Sequence, residues 1–276
     1  MDVRYSPDAD GFRRMATENL AKTFLVKLFP KNKIPMVYSD IDRSIIGSAV
    51  PVGKVLLLAA SKKEMAAKYF AARREIGVIN IGGKGSIVVD KKSFQMNLKD
   101  ALYIGRGSKN IEFKSSDSKK PAKFYFVSYP AHNECPTTHA KFINATPVKL
   151  GSLETSNERT IYKYIFPGGV NSCQLVMGLT ELEVGSVWNT MPAHTHQRRS
   201  EVYMYFNLKK DDLVVHLIGK PNETKHIITR DGEAVLSPSW SLHSGAGTKN
   251  YSFIWSMGGE NQDFDDMDWI KMADLK

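Results

Sequence analysis

His194 and His196 stand two apart in the stretch 191–206, M-P-A-H-T-H-Q-R-R-S-E-V-Y-M-Y-F. In an extended strand that spacing turns both imidazoles to one face. Glu201 follows five positions later, an odd interval that one unbroken strand would send to the opposite face. The polar run Gln197-Arg198-Arg199-Ser200 can make a turn, after which a strand over 201–206 presents Glu201, Tyr203 and Tyr205 on the same inner face. Two neutral nitrogens and one carboxylate form a usable site for a divalent transition metal. A bare H-x-H also arises by chance in surface loops. Two features set this one apart. Glu201 opens an apolar run, where an unpaired carboxylate is costly to bury. His243 occurs in a comparable setting, S-P-S-W-S-L-H-S-G over 237–245, a Pro-marked turn that enters a short apolar segment.

The elements that would position these groups read mainly as strands. At the start, Ala16, Leu20, Phe24, Leu25 and Leu28 recur at helical spacing, predicting a helix over 8–29 that Pro30 ends. Residues 37–58 mix β-branched residues with Gly and Pro punctuation and predict short strands. Ser61-Lys-Lys-Glu64 can form a capping box for a short helix that stops before Tyr69. Residues 73–90 read as two strands joined by Gly82-Gly83-Lys84-Gly85. That glycine-rich turn lacks the Lys-Ser/Thr of a phosphate-binding loop and opens no helix, which excludes a nucleotide site of that kind.

A loose repeat runs through the chain. Arg73-Arg74-Glu75 opens a strand and glycine-turn segment, as does Arg198-Arg199-Ser200-Glu201; D-A-L-Y-I-G at 100–105 resembles A-V-L-S-P-S at 234–239. Glu75 matches Glu201, but Tyr69 and Ala71 stand where the histidines would be. The expectation is an all-β chain with minor helices, built as two antiparallel β-barrels in tandem. The first, over 1–150, would lack a metal; the second, over 151–276, would hold it. His132 and His139 flank Cys135, but their spacing matches no common zinc pattern, and they read as part of a surface connection. His216 and His226 sit in strand-like segments with no spacing that links them to the trio. The acidic run 263–268 lacks the spacing and glycine of an EF-hand and reads as a tail docked on the barrel or on a neighbouring subunit.

Composition sets the outer limits. A chain of 276 residues, 42% hydrophobic and 24% charged, can bury a substantial core as a soluble globular protein. The formal charge of +9 is spread without a long Lys/Arg block or a nucleic-acid-binding signature, so a sugar acid accounts for it as well as nucleic acid does. Two cysteines, Cys135 and Cys173, form no C-x-x-C and no disulfide framework, which fits a reducing cytoplasm. The polar start has no apolar signal core. The greasiest stretch, 45–60, is broken by Gly47, Pro51, Gly53 and Lys54, and no membrane span is expected.

H-T-H-x4-E followed by P-x4-H-x-G resembles the two metal motifs of the cupin superfamily, in which three histidines and a glutamate line a small β-barrel. Longer phrases resemble the 5-keto-4-deoxyuronate isomerase family of pectin breakdown: MVYSDIDR (36–43), RREIGVINIGGKGSIVVD (73–90), TSNERTIYKY (155–164), WNTMPAHTHQRRSEVYMYF (188–206), SPSWSLHSGAGTKNYSFIW (237–255) and GENQDFDDMD (259–268). The likeness extends over nearly the whole chain, and Ala193, Gln197 and Ser200 depart from the pattern without changing the ligand types.

The resemblance implies a cupin-like fold and one Zn2+ per subunit held by His194, His196, Glu201 and His243. It also implies an aldose–ketose isomerisation of 5-dehydro-4-deoxy-D-glucuronate to 3-deoxy-D-glycero-2,5-hexodiulosonate. It implies a homo-oligomer too, with a hexamer as one form. The general base is not legible in the sequence. Tyr203 and Tyr205 are candidates for catalytic contacts, although a tyrosine of pKa near ~10 is a poor base at neutral pH and better suited to hydrogen-bonding substrate. Arg159 and Arg199 are candidates for binding the substrate carboxylate. A cupin oxygenase using iron in the same ligand set, and a non-enzymatic sugar-acid-binding module, are the alternatives; metal content with oxygen consumption, and turnover, separate them from an isomerase.

Overall fold

The computed structural model describes residues 1–276, and strands dominate it. The helical turns have local causes. Asp8 accepts a hydrogen bond from the Gly11 backbone N–H at 2.7 Å and so caps Ala9–Arg13. Ser61 accepts from the Glu64 N–H while its hydroxyl donates back to the Glu64 carboxylate, and the short helix Lys62–Met65 ends before Tyr69 as expected. The helix expected over 8–29 is instead two pieces, Ala9–Arg13 and Thr17–Phe24, after which the chain extends into the strand Leu25–Lys27. Leu25 pairs with Val235 and Val26 with Ala234. A ladder offered by a distant strand overrides the helical spacing of the leucines.

The chain folds into two compact units that are not consecutive along it. One contains Met1–Arg4, Leu28–Ala145 and Tyr164–Val176; the other contains Tyr5–Lys27, Thr146–Lys163 and Met177–Lys276. A division near residue 150 therefore needs two exchanges: the N-terminal helical segment joins the second unit, and 164–176 joins the first.

Each unit holds one seven-stranded and one four-stranded sheet rather than the closed barrel expected. Sheet ends such as Leu56–Leu57, Trp188–Asn189 and Thr138–Ala140 are two or three residues long, too short to carry a ladder around a closed perimeter. The larger sheets share a central run. In the first unit it reads Met36–Ser39, Ile45–Ala49, Phe124–Pro130, Arg74–Asn80, Ala101–Ile104; in the second, Arg159–Ile165, Val176–Leu182, Ser252–Gly259, Arg199–Phe206, Glu233–Ser237. Glu75 and Glu201 are thus positional counterparts, each near the start of a strand between corresponding neighbours.

In the first unit, Ile76, Val78 and Phe126 of the larger sheet and Ile87, Phe94 and Phe113 of the smaller one share a core. Phe113 stacks on Phe126 with centroids 6.1 Å apart. Truncating either ring to alanine should cost about 3–5 kcal/mol.

In the second unit, every residue of Arg199–Phe206 is buried, so both faces of that strand are covered. Alternation sends Glu201, Tyr203 and Tyr205 to one face, where the Tyr203 ring lies 5.2 Å from His243. Gly178 leaves room for Trp255 on the neighbouring strand: a Cβ there would fall 2.1 Å from the indole ring. No helix is long and apolar enough to cross a membrane.

Candidate active site

Three strands bring the chemistry together. His194 lies on the two-residue strand His194–Thr195, Glu201 on Arg199–Phe206, and His243 on Leu242–Gly247. The turn between His196 and Arg199, closed by the Arg199 N–H donating to the His196 carbonyl at 3.2 Å, resolves the odd spacing that separates Glu201 from the histidines. His194, His196, Glu201 and His243 are all buried, and one ligand atom from each lies within 4.8 Å of the other three. Glu201 Oε2 is 2.7 Å from His243 Nε2 and 3.1 Å from His196 Nε2; His243 Nε2 is 3.1 Å from His194 Nε2.

The hydrogen-bond partners fix how these rings present themselves. His196 Nδ1 lies 2.8 Å from the Arg199 carbonyl oxygen, which can only accept. Nδ1 therefore carries the proton, and in the neutral ring the Nε2 lone pair faces the Glu201 carboxylate. Two electron-rich atoms at 3.1 Å call for a positive charge between them, either a second proton on His196 or a cation. His243 Nε2 faces both Glu201 and His194 and can donate to only one of them. His194 Nδ1 is buried without a partner. The donor set of three imidazoles and a carboxylate fits a divalent transition metal better than it satisfies itself.

Electrostatics follow from the same crowding. Burial alone would raise the Glu201 carboxyl, but the imidazoles of His243 and His196 outweigh it and hold Glu201 below the usual carboxylate range. Burial, with His243 beside it, pushes His194 down to about 2. Burial also lowers His243. It pulls on His196 too, but the hydrogen bond and charge of Glu201 leave that ring raised.

A cavity of about 230 Å³ opens onto His194 and Glu201. Its walls are largely apolar, with Ile161, Phe253, Trp255 and Met257 from the sheet and Phe264 and Trp269 from the C-terminal tail. Polar groups reach it at four further points: Arg159, Thr180, the Thr190–Tyr203 pair and Asp265. The Thr190 and Tyr203 hydroxyls share a hydrogen bond of 2.8 Å. Burial raises Tyr203 well above the usual phenol value, which keeps it a neutral hydroxyl. Arg159 is half-buried; one nitrogen donates to the Asn157 carbonyl at 2.9 Å, and burial lowers its pKa.

The structure does not bring every candidate to this cavity. Tyr205 is fully buried behind the wall, its hydroxyl 2.7 Å from His216 Nδ1. Arg199 is 1% exposed and turns under the tail, where Nη2 donates to the Asp266 carbonyl at 3.0 Å. Its near neighbour Arg198 makes the tail's anchor, gripping the Asp266 carboxylate through Nε at 3.0 and 3.1 Å. His226 is exposed, and His139 lies 3.4 Å from Asp100 in the first unit.

Sequence reading missed what the tail does. Ala193 accepts from Ile270 at 3.0 Å, His194 pairs with Trp269, and the Trp269 ring meets the His194 ring edge-on at 5.3 Å. The acidic run had signalled docking; nothing in it signalled that Asp265 and Trp269 would wall the cavity.

Paired β-sheets with three histidines and a glutamate converging beneath a cavity define a cupin-like architecture whose four side chains could hold a metal ion. The model of the KduI/IolB family matches residues 24–272, and the chain belongs to that family. It is 54% identical to a 4-deoxy-L-threo-5-hexosulose-uronate ketol-isomerase of Lachnoclostridium phytofermentans and 53% identical to the protein of the same name from Caldicellulosiruptor bescii. Both alignments cover 100% of each chain. Among solved structures it is similar to an IolB-like protein from Salmonella typhimurium LT2, with a TM-score of 0.71 and 12% identity over 90% of this chain and 97% of that one. At that identity the likeness speaks for the fold alone.

Proposed function

We propose that this chain is a metal-dependent ketol-isomerase acting on 4-deoxy-L-threo-5-hexosulose-uronate, in the breakdown of pectin-derived uronates. The relatives' shared name supplies the reaction, and the full-length identity supports carrying it over. The observation that carries the reading is the convergence of His194, His196, Glu201 and His243 at the foot of a cavity with a cationic and an acidic side chain on its walls.

The chemistry moves one hydrogen from C2 to C1 and turns an aldehyde and an adjacent alcohol into an alcohol and an adjacent ketone. The four donors suit zinc, one ion per subunit, which when bound would supply Lewis acidity toward the carbonyl end of the substrate. Arg159, a cation on the cavity wall, would take the substrate carboxylate. Tyr203, held neutral and positioned by Thr190, donates a hydrogen bond to a substrate oxygen rather than acting as a base. Asp265 is the carboxylate on the wall outside the ligand set, and we assign it the carriage of the proton between C2 and C1 through a cis-enediol. Phe264, Met267 and Trp269 of the tail keep bulk water from that transfer. The two halves are read as a duplicated bicupin whose first copy carries no metal site. The enzyme is further read as a cytoplasmic homo-oligomer, a hexamer being the first form to test.

The test is incubation of zinc-loaded protein with freshly generated substrate in heavy water, with the product followed by NMR. Turnover with deuterium at C1 is expected. Quantitative transfer of a C2 deuterium to C1 over many turnovers, with no solvent label, would replace proton transfer by a hydride shift. Absence of turnover, or oxygen consumption instead, would overturn the isomerase reading.

A further inference from the structure

The first unit contains a second cavity, of about 370 Å³, within the size range of small-molecule sites. Four arginines line it: Arg43, Arg73, Arg74 and Arg106. Each guanidinium would ordinarily find a carboxylate, and none does so. Arg74 is only 7% exposed; Nε donates to the Ser128 hydroxyl at 3.0 Å, and Nη2 donates to the carbonyls of Ser128 and Arg43 at 2.8 and 2.5 Å. Arg106 Nη1 donates to the Ala131 and His132 carbonyls at 3.1 and 2.8 Å. Arg73 Nη2 donates to the Met65 and Ala66 carbonyls at 2.6 and 3.2 Å. Carbonyls fix the planes of these side chains without neutralising them, and each keeps a nitrogen without a protein partner. The Arg43 guanidinium makes no hydrogen bond at all. The carboxylate on the wall, Glu64, is engaged by the Ser61 hydroxyl and by its role at the start of Lys62–Met65.

A cation buried as deeply as Arg74 is costly without a counter-charge. Burial accordingly lowers Arg74 to about 10. A cavity that gathers four cations and one engaged anion, with donors held in place by neutral acceptors, is organised for an oxyanion that takes paired N–H donors. We propose that this cavity is a binding site for a small oxyanionic ligand, one carrying a carboxylate or a phosphate group, separate from the residues of the candidate active site.

The experiment uses the intact, zinc-loaded protein and three probes at low ionic strength: galacturonate as the carboxylate, glucose 6-phosphate as the phosphate, and galactose as the neutral control. Calorimetry is run on the wild type, on R43Q/R73Q and on R159A. Both replaced cavity arginines are exposed, and Arg43 holds nothing else in place. Binding of at least one anionic probe is expected, weakened about tenfold or more by R43Q/R73Q, unchanged by R159A and reduced by salt. Which probe binds identifies the source of the oxyanion, and binding of both assigns the shared chemistry. A second readout needs no variant: the bound probe should protect Arg43 and Arg73 from phenylglyoxal, mapped by mass spectrometry. Anionic probes that bind no better than galactose, or binding indifferent to R43Q/R73Q and lost in R159A, would overturn the proposal.

Discussion

Glu75 and Glu201 occupy corresponding places in the two units and have opposite surroundings. Glu75 is sealed by donors: the backbone N–H groups of Cys173, Gln174 and Leu175 at 2.7, 2.8 and 2.8 Å, and the Tyr103 hydroxyl at 2.8 Å. Glu201 faces imidazole nitrogens whose protons are partly committed elsewhere. One carboxylate has been satisfied by the backbone and serves as a structural pin. The other is left with lone pairs in need of a cation. Whether a buried glutamate holds a fold or a metal is decided by what the next segments place around it.

The largest expected effect tests the pin. Glu75→Ala should leave two buried and two part-buried donors without an acceptor, at about 1–3 kcal/mol for each buried one before relaxation. Denaturant unfolding should show a loss of several kcal/mol, or insoluble protein, and any soluble fraction should keep its metal. A stability change under about 1 kcal/mol would show that water replaces the carboxylate. His196→Ala comes next: elemental analysis should find most of the bound metal gone while the circular dichroism spectrum is kept. Full occupancy in that variant would remove His196 from the ligand set. Asp265→Asn should then lower kcat about 100-fold or more with metal content unchanged and KM little moved, as befits a group that only moves a proton. A change confined to KM would make Asp265 a binding residue.

The smallest effect concerns acid, measured on metal-free protein. Burial pushes His216 down to about 3 and His194 to about 2, against an unperturbed value near 6.5. The folded pKa values are depressed, so the unfolded chain binds more protons as pH falls. Stability from these rings is full above about pH 6.5 and is lost as pH falls toward 3. The first unit has no fully buried histidine, so hydrogen exchange should rise first in the second unit on acidification. Simultaneous loosening of both units would show that other groups dominate.

Much of this comparison was legible before the structure. The pair His194 and His196, the turn, and the alternation of Glu201 with Tyr203 follow from strand periodicity, and the absence of histidines near Glu75 follows from composition. The fate of Glu75 was not legible, because three of its four donors are backbone amides about a hundred residues away, which every sequence has, and only the Tyr103 hydroxyl is a side chain. Nor could the sequence separate Arg159 from Arg199. Both are arginines near strand starts, and the tail residue Asp266 alone draws one of them away from the cavity. The break of the first helix at Leu25 depends on a partner strand near residue 235, beyond the reach of local spacing.

That last pairing has a consequence for synthesis. Leu25 waits for Val235, so about two hundred residues must be made before the strand Leu25–Lys27 finds its ladder. At ~5–20 residues per second, that interval is roughly 10–40 s. Through it, Val26 and the Phe12–Phe24 edge have no second unit to cover them, and the nascent chain carries an open apolar segment past the folding first unit. A ribosome-associated chaperone that favours exposed aromatics would find this segment early and have to release it late.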